Sequence, residues 1–134
     1  MGEMINRIKI SENFFLDEFQ CRCCHSVKIE PELLEELQNM RTKAKFPFVL
    51  NSAYRCIEHN RREGGVNNSF HTQGKAVDVS MGGHSRESMV NLVARAQEIG
   101  FTGIGCYYSK TDGSPLFLHL DVGTDKLRHW ERIK

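Results

Sequence analysis

Two histidines and one aspartate in this chain have the residue types and the order of a catalytic zinc site. His71 and Asp78 lie in the segment 69–78, and His119 follows in a later segment. Two imidazoles and one carboxylate leave the fourth position of a tetrahedral zinc ion to water, as in catalytic zinc sites. The chain is therefore predicted to be a hydrolase that binds one Zn²⁺, although manganese, cobalt or nickel can occupy the same ligands.

The spacing of these residues predicts how the chain must position them. The interval between His71 and Asp78 excludes the helical zinc motif, in which two histidines on one face are four residues apart. A loop ligand and a strand ligand must therefore converge, and Gly74 allows the chain to turn between them without a Cβ clash. Asp78 lies in the alternating segment 76–80, where a buried carboxylate is costly unless it is paired or bound to a cation.

His119 falls in a second predicted strand, 116–121, and Asp121 follows on the same face of that strand. We expect His71, Asp78, His119 and Asp121 to form the floor of a pocket. Each has an ordinary alternative when taken singly, since a histidine in a strand is more often a hydrogen-bonded core or surface residue than a ligand. The three ligands taken together favour a metal site.

Two amphipathic helices and four strands are predicted around these residues. Apolar residues recur at helical spacing over 30–44, with Pro31 at the first helical position, and a second helix covers 85–99 between a capping serine and Gly100. The strands are expected at 48–52, 76–80, 104–108 and 116–121, with a turn at 111–115. This pattern predicts an α+β fold with a small, mostly antiparallel sheet flanked by helices.

Size and charge limit the other possibilities. A chain of 134 residues, 40% hydrophobic and 26% charged, fits a single domain over residues 1–134. Its net charge of +1 gives no electrostatic footprint for nucleic acid, and no apolar run approaches the roughly 20 residues of a membrane-spanning helix. We expect a monomer without nucleic-acid or membrane partners. The first nine residues lack the apolar centre of an export signal, so the localisation is open.

Five cysteines, an odd number, indicate reduced thiols rather than a disulfide framework. Three of them, Cys21, Cys23 and Cys24, stand together beside His25. Thiolates and imidazole are zinc ligands, so a second metal site is one interpretation of this cluster. The spacing lacks two Cys-x-x-Cys pairs, and small thiols buried on a turn are the favoured interpretation.

The same segments resemble a known family of enzymes. The matching motifs are Ser52-Ala53-Tyr54-Arg55 with His59-Asn60, Gly64-Gly65, Ser69-x-His71, Gly74-x-Ala76-x-Asp78 and His119-x-Asp121. They resemble the zinc D-alanyl-D-alanine carboxypeptidases and related murein peptidases, which share the Hedgehog-type fold and form subfamily A of the M15 peptidases. The segment from Phe14 to Cys21 also matches the start of that domain, so the resemblance covers roughly residues 11–122.

The resemblance implies a role for each matching residue. His71, Asp78 and His119 would bind zinc, and Arg55 would bind the substrate and stabilise charge on the scissile carbonyl. A guanidinium suits that task because it stays charged and donates several hydrogen bonds in a fixed fork; a surface salt bridge is the alternative for Arg55. Ser69 resembles a substrate-binding residue that positions its loop, with a turn-forming serine as the equal alternative.

The chain departs from the family at one position. Many members have a catalytic glutamate three residues before the last histidine, where this sequence has Leu116, which cannot accept a proton. An attacking water still needs a base. Asp121 is the first candidate, although orienting His119 is an equal role for it, and Asp112 in the preceding loop is the second.

By resemblance, the chain is a zinc metallopeptidase that hydrolyses an amide bond in the stem peptides of peptidoglycan. It would be either a D-Ala-D-Ala carboxypeptidase or a murein endopeptidase, and it would act at the cell wall as a phage lysin or as a housekeeping enzyme. The alternative is a catalytically inactive domain in which zinc stabilises the fold or a binding surface. Leu116 is the chief support for that alternative.

Overall fold

A five-stranded sheet and three α-helices make up the fold of residues 5–134, the part of the chain that the computed structural model describes. The strands are β1 (Leu50–Ser52), β2 (Ala76–Ser80), β3 (Gly103–Tyr108), β4 (Pro115–Asp121) and β5 (Arg128–Ile133). The helices are α1 (Pro31–Lys43), α2 (Ile57–Arg62) and α3 (Arg86–Ile99), with two short 3-10 helices at Leu16–Glu18 and Phe70–Gln73. None of these helices is long and apolar enough to cross a membrane.

The strands are arranged in the order β1-β2-β4-β3-β5. Neighbouring strands are antiparallel except for β3 and β5, which are parallel. A short connection from β4 to β5 is sufficient because Asp121, at the end of β4, pairs with Gly103, and β5 begins opposite the same glycine at Arg128. The predicted α+β class with a small, mostly antiparallel sheet is confirmed.

The predicted helices and strands are present, with small shifts at their ends. Helix α3 starts after Ser85, whose Oγ accepts a hydrogen bond from the backbone N–H of Ser88 at 3.0 Å, and it ends at Gly100. Helix α1 begins at Pro31, as expected. Strand β1 is shorter than the predicted strand over 48–52.

The structure adds two elements, α2 and β5, that the sequence patterns do not predict. Helix α2 has six residues, of which Asn60 is buried, so it has no apolar stripe to reveal it. Strand β5 is a half-exposed edge strand rich in charged residues, and its pairing with the distant β3 determines its conformation. Both elements contribute to the candidate site described below.

The two faces of the sheet differ in chemistry. One face forms the hydrophobic core with the buried sides of α1 and α3, through Val77, Val79, Ile104, Leu118 and Leu120. The opposite face carries Asp78 and His119, because side chains alternate across a strand. The core therefore holds the backbone of the polar face in place.

The cysteines are distributed differently from the favoured interpretation. Cys21 is buried, as expected, but Cys23 and Cys24 are exposed. Cys56, at the start of α2, is partly buried, and Cys106 is buried within β3. The interpretation of the cluster as small buried thiols is therefore wrong for two of its three members.

Candidate metal centre and active site

A row of cross-strand neighbours lies in the middle of the open face of the sheet. Asp78 on β2 pairs with His119 on β4, and His119 pairs with Gly105 on β3. Gly105 in turn pairs with Trp130 on β5, while Asp78 pairs with Ser52 at the end of β1. Each of the five strands thus contributes one residue to a single line across the sheet.

His71 reaches this row from the 3-10 helix Phe70–Gln73. Ser69 caps that helix, and its Oγ accepts a hydrogen bond from the backbone N–H of His71 at 3.2 Å. Gly74 ends the helix in the left-handed region with φ 73°, and a Cβ there would lie 2.7 Å from the carbonyl oxygen of Lys28. A glycine is therefore required where the chain turns from the histidine into β2, as the sequence predicts.

The three predicted ligands converge. His71 Nε2 lies 3.4 Å from Asp78 Oδ2, and His119 Nδ1 lies 3.1 Å from Asp78 Oδ1. One ligand atom from each of the three residues lies within 4.8 Å of the others. All three side chains are largely buried, so the folded chain holds their relative positions.

A hydrogen-bond acceptor holds the outward nitrogen of each imidazole. His71 Nδ1 donates to the carbonyl oxygen of Ala53 at 2.7 Å, so that Nε2 faces Asp78. His119 Nε2 lies 2.7 Å from Asp121 Oδ2. Metal-binding histidines have a carbonyl or carboxylate of this kind behind them, because it fixes the orientation of the ring and its tautomer.

In the metal-free chain, the charges of Asp78 and His119 balance each other, and a metal bound there would have to displace a proton from His119. Burial raises the pKa of Asp78, but hydrogen bonds from His119 and His71 outweigh that effect and hold the pKa well below its usual range. Burial disfavours charge on His119 as well, yet its hydrogen bonds to Asp121 and Asp78 raise its pKa to about 9. An imidazolium thus neutralises the Asp78 carboxylate, and a bound divalent cation would serve the same carboxylate.

The donor set fits zinc in both chemistry and spacing. Ligand atoms about 2.1 Å from a tetrahedral ion stand roughly 3.4 Å apart. The inner nitrogens of His71 and His119 are 3.4 and 3.1 Å from the Asp78 oxygens. Two nitrogens and one carboxylate oxygen are ligands that zinc accepts, and they leave one position to a group from outside the chain.

Arg55 stands beside the three converging residues, in the loop after β1. Its Nη2 is 3.6 Å from Asp78 Oδ2. Its Nε donates to Ser52 Oγ and its Nη1 donates to Asn60 Oδ1, both at 3.1 Å. Asn60 is buried and donates in turn to the carbonyl oxygen of Val66 at 2.9 Å. These contacts fix the guanidinium in one orientation at the site.

Asp121 is fully buried behind His119. Its Oδ2 faces His119 Nε2, and its Oδ1 accepts hydrogen bonds from the backbone N–H of Gly123 and from the guanidinium of Arg128. Burial raises the pKa of Asp121, but hydrogen bonds from His119 and Gly123 outweigh it and lower the pKa. This geometry favours the orienting role for Asp121 over that of a base.

Comparisons with known proteins agree with this arrangement. A model of the Peptidase M15 family matches residues 12–121, which include all three converging residues. The chain belongs to the peptidase M15 family. It is similar to the peptidoglycan L,D-endopeptidase MepK of Escherichia coli K12 and to the protein of the same name from Shigella flexneri. Each is 29% identical over 125 residues, covering 88% of this chain and 62% of the relative, so the chain spans less than two thirds of their length.

A cleft of about 270 Å³ opens over the converging residues of this M15 domain. One wall is the segment 63–66 after α2, and Tyr107, Phe117 and Trp130 from the sheet also line the cleft. Glu63 and Asp78 are the two carboxylates among the described residues that line it. The sequence patterns do not single out Glu63, because it lies in an exposed turn without a motif.

Trp130 also lies at the M15 site, a position that the sequence patterns do not predict for it. Its indole lies 5.3 Å from the His119 ring, centre to centre, and its Nε1 donates to the hydroxyl of Tyr107 at 3.1 Å. A Cβ on Gly105 would lie 2.4 Å from the indole, so only glycine fits beneath it. Glycine within the 104–108 strand is the signal for such a close approach.

Asp112, the second predicted base, lies elsewhere in the M15 fold. It occupies the exposed turn before β4, and its Oδ1 accepts hydrogen bonds from the N–H and the Oγ of Ser114 at 3.0 and 2.7 Å. It does not line the cleft. The structure therefore brings Arg55 to the predicted ligands but leaves Asp112 as a residue that stabilises a turn.

Proposed function

We propose that this chain is a zinc-dependent peptidase that hydrolyses an amide bond in the stem peptides of peptidoglycan. The observation that carries the proposal is the convergence of His71, Asp78 and His119 next to the fixed guanidinium of Arg55, in an open cleft. The substrate class rests on the similarity to the relatives, which are named as peptidoglycan L,D-endopeptidases. That name favours an endopeptidase over a carboxypeptidase.

His71 Nε2, His119 Nδ1 and the carboxylate of Asp78 would hold the metal. When bound there, zinc supplies Lewis acidity toward the scissile carbonyl and toward the attacking water. Ala53 and Asp121 keep the two imidazoles in the required orientation from behind. The chain thus provides a preorganised donor set before any metal binds.

Arg55 supplies the positive charge that a developing oxyanion or a substrate carboxylate requires. Its guanidinium is tied to Ser52 and Asn60 through Nε and Nη1, while Nη2 lies at the site. Preorganised donors of this kind stabilise a transition state because they need no reorganisation when charge develops. Asp78 accompanies Arg55 and keeps its side chain directed toward the cleft.

We assign the proton transfer to Glu63. It lines the same cleft as the three ligands, whereas Asp121 is buried with both of its oxygens occupied. A carboxylate at that wall can take a proton from the attacking water and deliver it to the leaving amine. Asp121 acts as a positioning residue for His119 in this scheme.

Incubation of the purified chain with peptidoglycan, followed by mass spectrometry of the released peptides, tests the proposal. New amine ends are expected with the native protein and not with His71→Ala. The matched control is His129→Ala, which removes an exposed histidine of β5 and should leave cleavage unchanged. Release of a single terminal residue would identify a carboxypeptidase, and cleavage within the stem an endopeptidase.

Exchange of Glu63 for glutamine tests the assignment of the base. Hydrolysis should fall by about 10²–10⁴-fold with metal content unchanged, since general acid–base catalysis contributes that much. Glu58→Gln is the control, because Glu58 lies on α2 and pairs with Arg61 at the surface. A Glu63→Gln variant with native activity would show that another group handles the proton.

A non-catalytic zinc domain is the second candidate function. Leu116 favours it, because it stands where many family members have a glutamate. In that case the native protein would contain zinc at His71, Asp78 and His119 but release no peptide from peptidoglycan or from defined stem peptides. Metal analysis of the same preparations therefore separates the two functions.

A further inference from the structure

Four cysteine thiols from two segments that are distant in the sequence come together in the structure. Cys21, Cys23 and Cys24 precede α1, and Cys56 follows Arg55 directly. Their four sulfur atoms lie within 4.8 Å of one another. Cys23 Sγ is 3.6 Å from Cys21 Sγ and 3.4 Å from Cys56 Sγ. His25, the imidazole that the sequence places beside the cluster, is not part of this set.

Hydrogen bonds that do not involve the thiols hold the two cysteine segments together. Tyr54 N–H donates to the carbonyl oxygen of Phe19 at 3.0 Å. Arg22 donates from its guanidinium to the carbonyl oxygens of Leu50 and Asn51 at 2.8 and 3.0 Å. The approach of the sulfurs is therefore part of the fold and not a chance contact between flexible side chains.

Two of the sulfurs accept backbone hydrogen bonds. The N–H of Cys56 donates to Cys21 Sγ, and the N–H of His59 donates to Cys56 Sγ, both at 3.4 Å. Hydrogen bonds to sulfur favour the thiolate, which is the form that binds metal.

The spacing of the sulfurs suits a metal and does not suit a disulfide. Thiolates about 2.3 Å from a tetrahedral zinc ion stand roughly 3.8 Å apart. The separations of 3.4 and 3.6 Å in the structure are close to that value. A disulfide would need about 2.05 Å between two sulfurs, and it would use only two of the four.

We propose that Cys21, Cys23, Cys24 and Cys56 form a second metal site, a closed four-thiolate site that binds Zn²⁺. Four protein ligands leave no position for water, so the site is structural. It joins the segment before α1 to the start of α2, and thereby fixes the chain on the C-terminal side of Arg55. The proposal does not depend on peptidase activity.

Thiol labelling of the native protein tests the site without any substitution. Cys23 and Cys24 are exposed, so free thiols at these positions would react rapidly with iodoacetamide. We expect peptide mapping to show at least about tenfold slower labelling of both before treatment with a strong zinc chelator than after it. The buried Cys106 serves as the internal reference. Rapid labelling without chelator, or a disulfide among the four in protein purified under reductant, would overturn the proposal.

Cobalt substitution separates this site from the histidine site. Cobalt bound by four thiolates gives an intense thiolate-to-metal charge-transfer absorption, which a site of two histidines and an aspartate cannot give. We expect that band in the native protein and in His71→Ala, and its loss in Cys56→Ser with Cys106→Ser as the matched control. Metal analysis should give two zinc ions per chain for the native protein and one for either His71→Ala or Cys56→Ser.

The native spectrum keeps the test decisive if a variant fails to fold. Absence of the charge-transfer band from cobalt-loaded native protein overturns the cysteine site, whatever the protein does to peptidoglycan. The reverse result, a cysteine band without peptide release, contradicts only the proposed peptidase. The two proposals therefore fail by different measurements.

Discussion

His71, Asp78 and His119 stand on the sheet and on a short helix against it, whereas the four clustered cysteines lie on two loops. The outward nitrogens of the two histidines are held by Ala53 and Asp121. The cysteine sulfurs receive backbone N–H groups instead. The histidine cluster also faces a cleft, while two of the cysteines are at the surface outside it.

This difference is the one expected if each cluster binds a metal for a different purpose. A catalytic metal site needs fewer protein ligands than the metal accepts, so that one coordination position stays open. Its imidazole ligands are oriented by hydrogen bonds to their outward nitrogens, which keeps the open position directed at the substrate. A site that only links chain segments can supply all four ligands from loops, because the metal itself defines the geometry. Arg55 and Cys56 are consecutive, so one loop serves both clusters.

The largest effect that distinguishes the two clusters is expected from Arg55→Lys. Lysine cannot contact Ser52, Asn60 and the substrate at once, since it lacks the planar fork of arginine. Peptide hydrolysis should fall by about 10²–10³-fold, the usual cost of losing a donor to an oxyanion, while both metals remain bound. Steady-state kinetics and metal analysis measure this. Arg61→Lys at the surface is the control, and a loss below tenfold would remove Arg55 from the chemistry.

Asp121→Asn should weaken only the histidine cluster. The change removes the charge that orients His119, and loss of such an outer partner typically costs 10–100-fold in metal affinity. Competition with a chelator, followed through metal content, should therefore release zinc from this site first. The cobalt–thiolate absorption should be unchanged. Equal weakening of both sites would indicate general unfolding around Arg128 rather than a local effect.

Cys56→Ser should have the opposite profile, affecting stability more than catalysis. Loss of a ligand present at 100 times its Kd removes about 2.7 kcal/mol of stabilisation, which corresponds to a fall in Tm of roughly 10 °C for a chain of this size. Hydrolysis at 25 °C should stay within about tenfold of the native value. A loss as large as that of Arg55→Lys, in a folded variant, would place the cysteines within the active site.

The smallest effect is expected for a change at Glu36. This carboxylate lacks the cationic partners that Asp78 has. Its Oε2 has no hydrogen-bond partner within residues 5–134, and burial, with the like charges of Glu32 and Glu35, raises its pKa to about 7. The native state then holds a proton that the unfolded chain releases near pH 4.5, so ionisation of Glu36 destabilises the fold as the pH rises through 7.

Glu36→Gln should accordingly raise the free energy of unfolding at pH 8, by about 1 kcal/mol once the effect of the pKa shift is reduced for solvent screening of this partly exposed carboxyl. The gain should shrink as the pH falls from 7 toward 4.5, where the native carboxyl is already neutral. Urea denaturation at several pH values measures it, with Glu12→Gln as control, because Glu12 is exposed and is not among the groups that shift the pKa of Glu36. A gain that is independent of pH would mean that charge on Glu36 is not its cause.

The sequence predicts the parts of the site that depend on local pattern. Alternation in β2 and β4 predicts that Asp78 and His119 point away from the core, and Gly74 predicts the turn that brings His71 to them. Family resemblance adds Arg55, which the structure places at the same point.

The parts that the sequence does not predict depend on contacts between distant segments. Strand β5 has no apolar alternation, and its pairing with β3 brings Trp130 over the row. Cys56 joins Cys23, which lies 33 residues earlier, and its two neighbouring cysteines only because the chain before α1 hydrogen-bonds to the loop after β1. Local sequence patterns do not show that these two distant segments come into contact.

Gly105 influences the depth of the cleft, although it is not one of the residues that would carry out chemistry there. The glycine lies beneath the Trp130 indole, and it pairs with His119 in the cross-strand row through its backbone alone, because it has no side chain. A methyl group there would displace the indole toward His119 or away from the sheet. A substitution of Gly105 beneath Trp130 could therefore change the range of peptides that fit the cleft during evolution. The three candidate metal ligands would not have to be replaced.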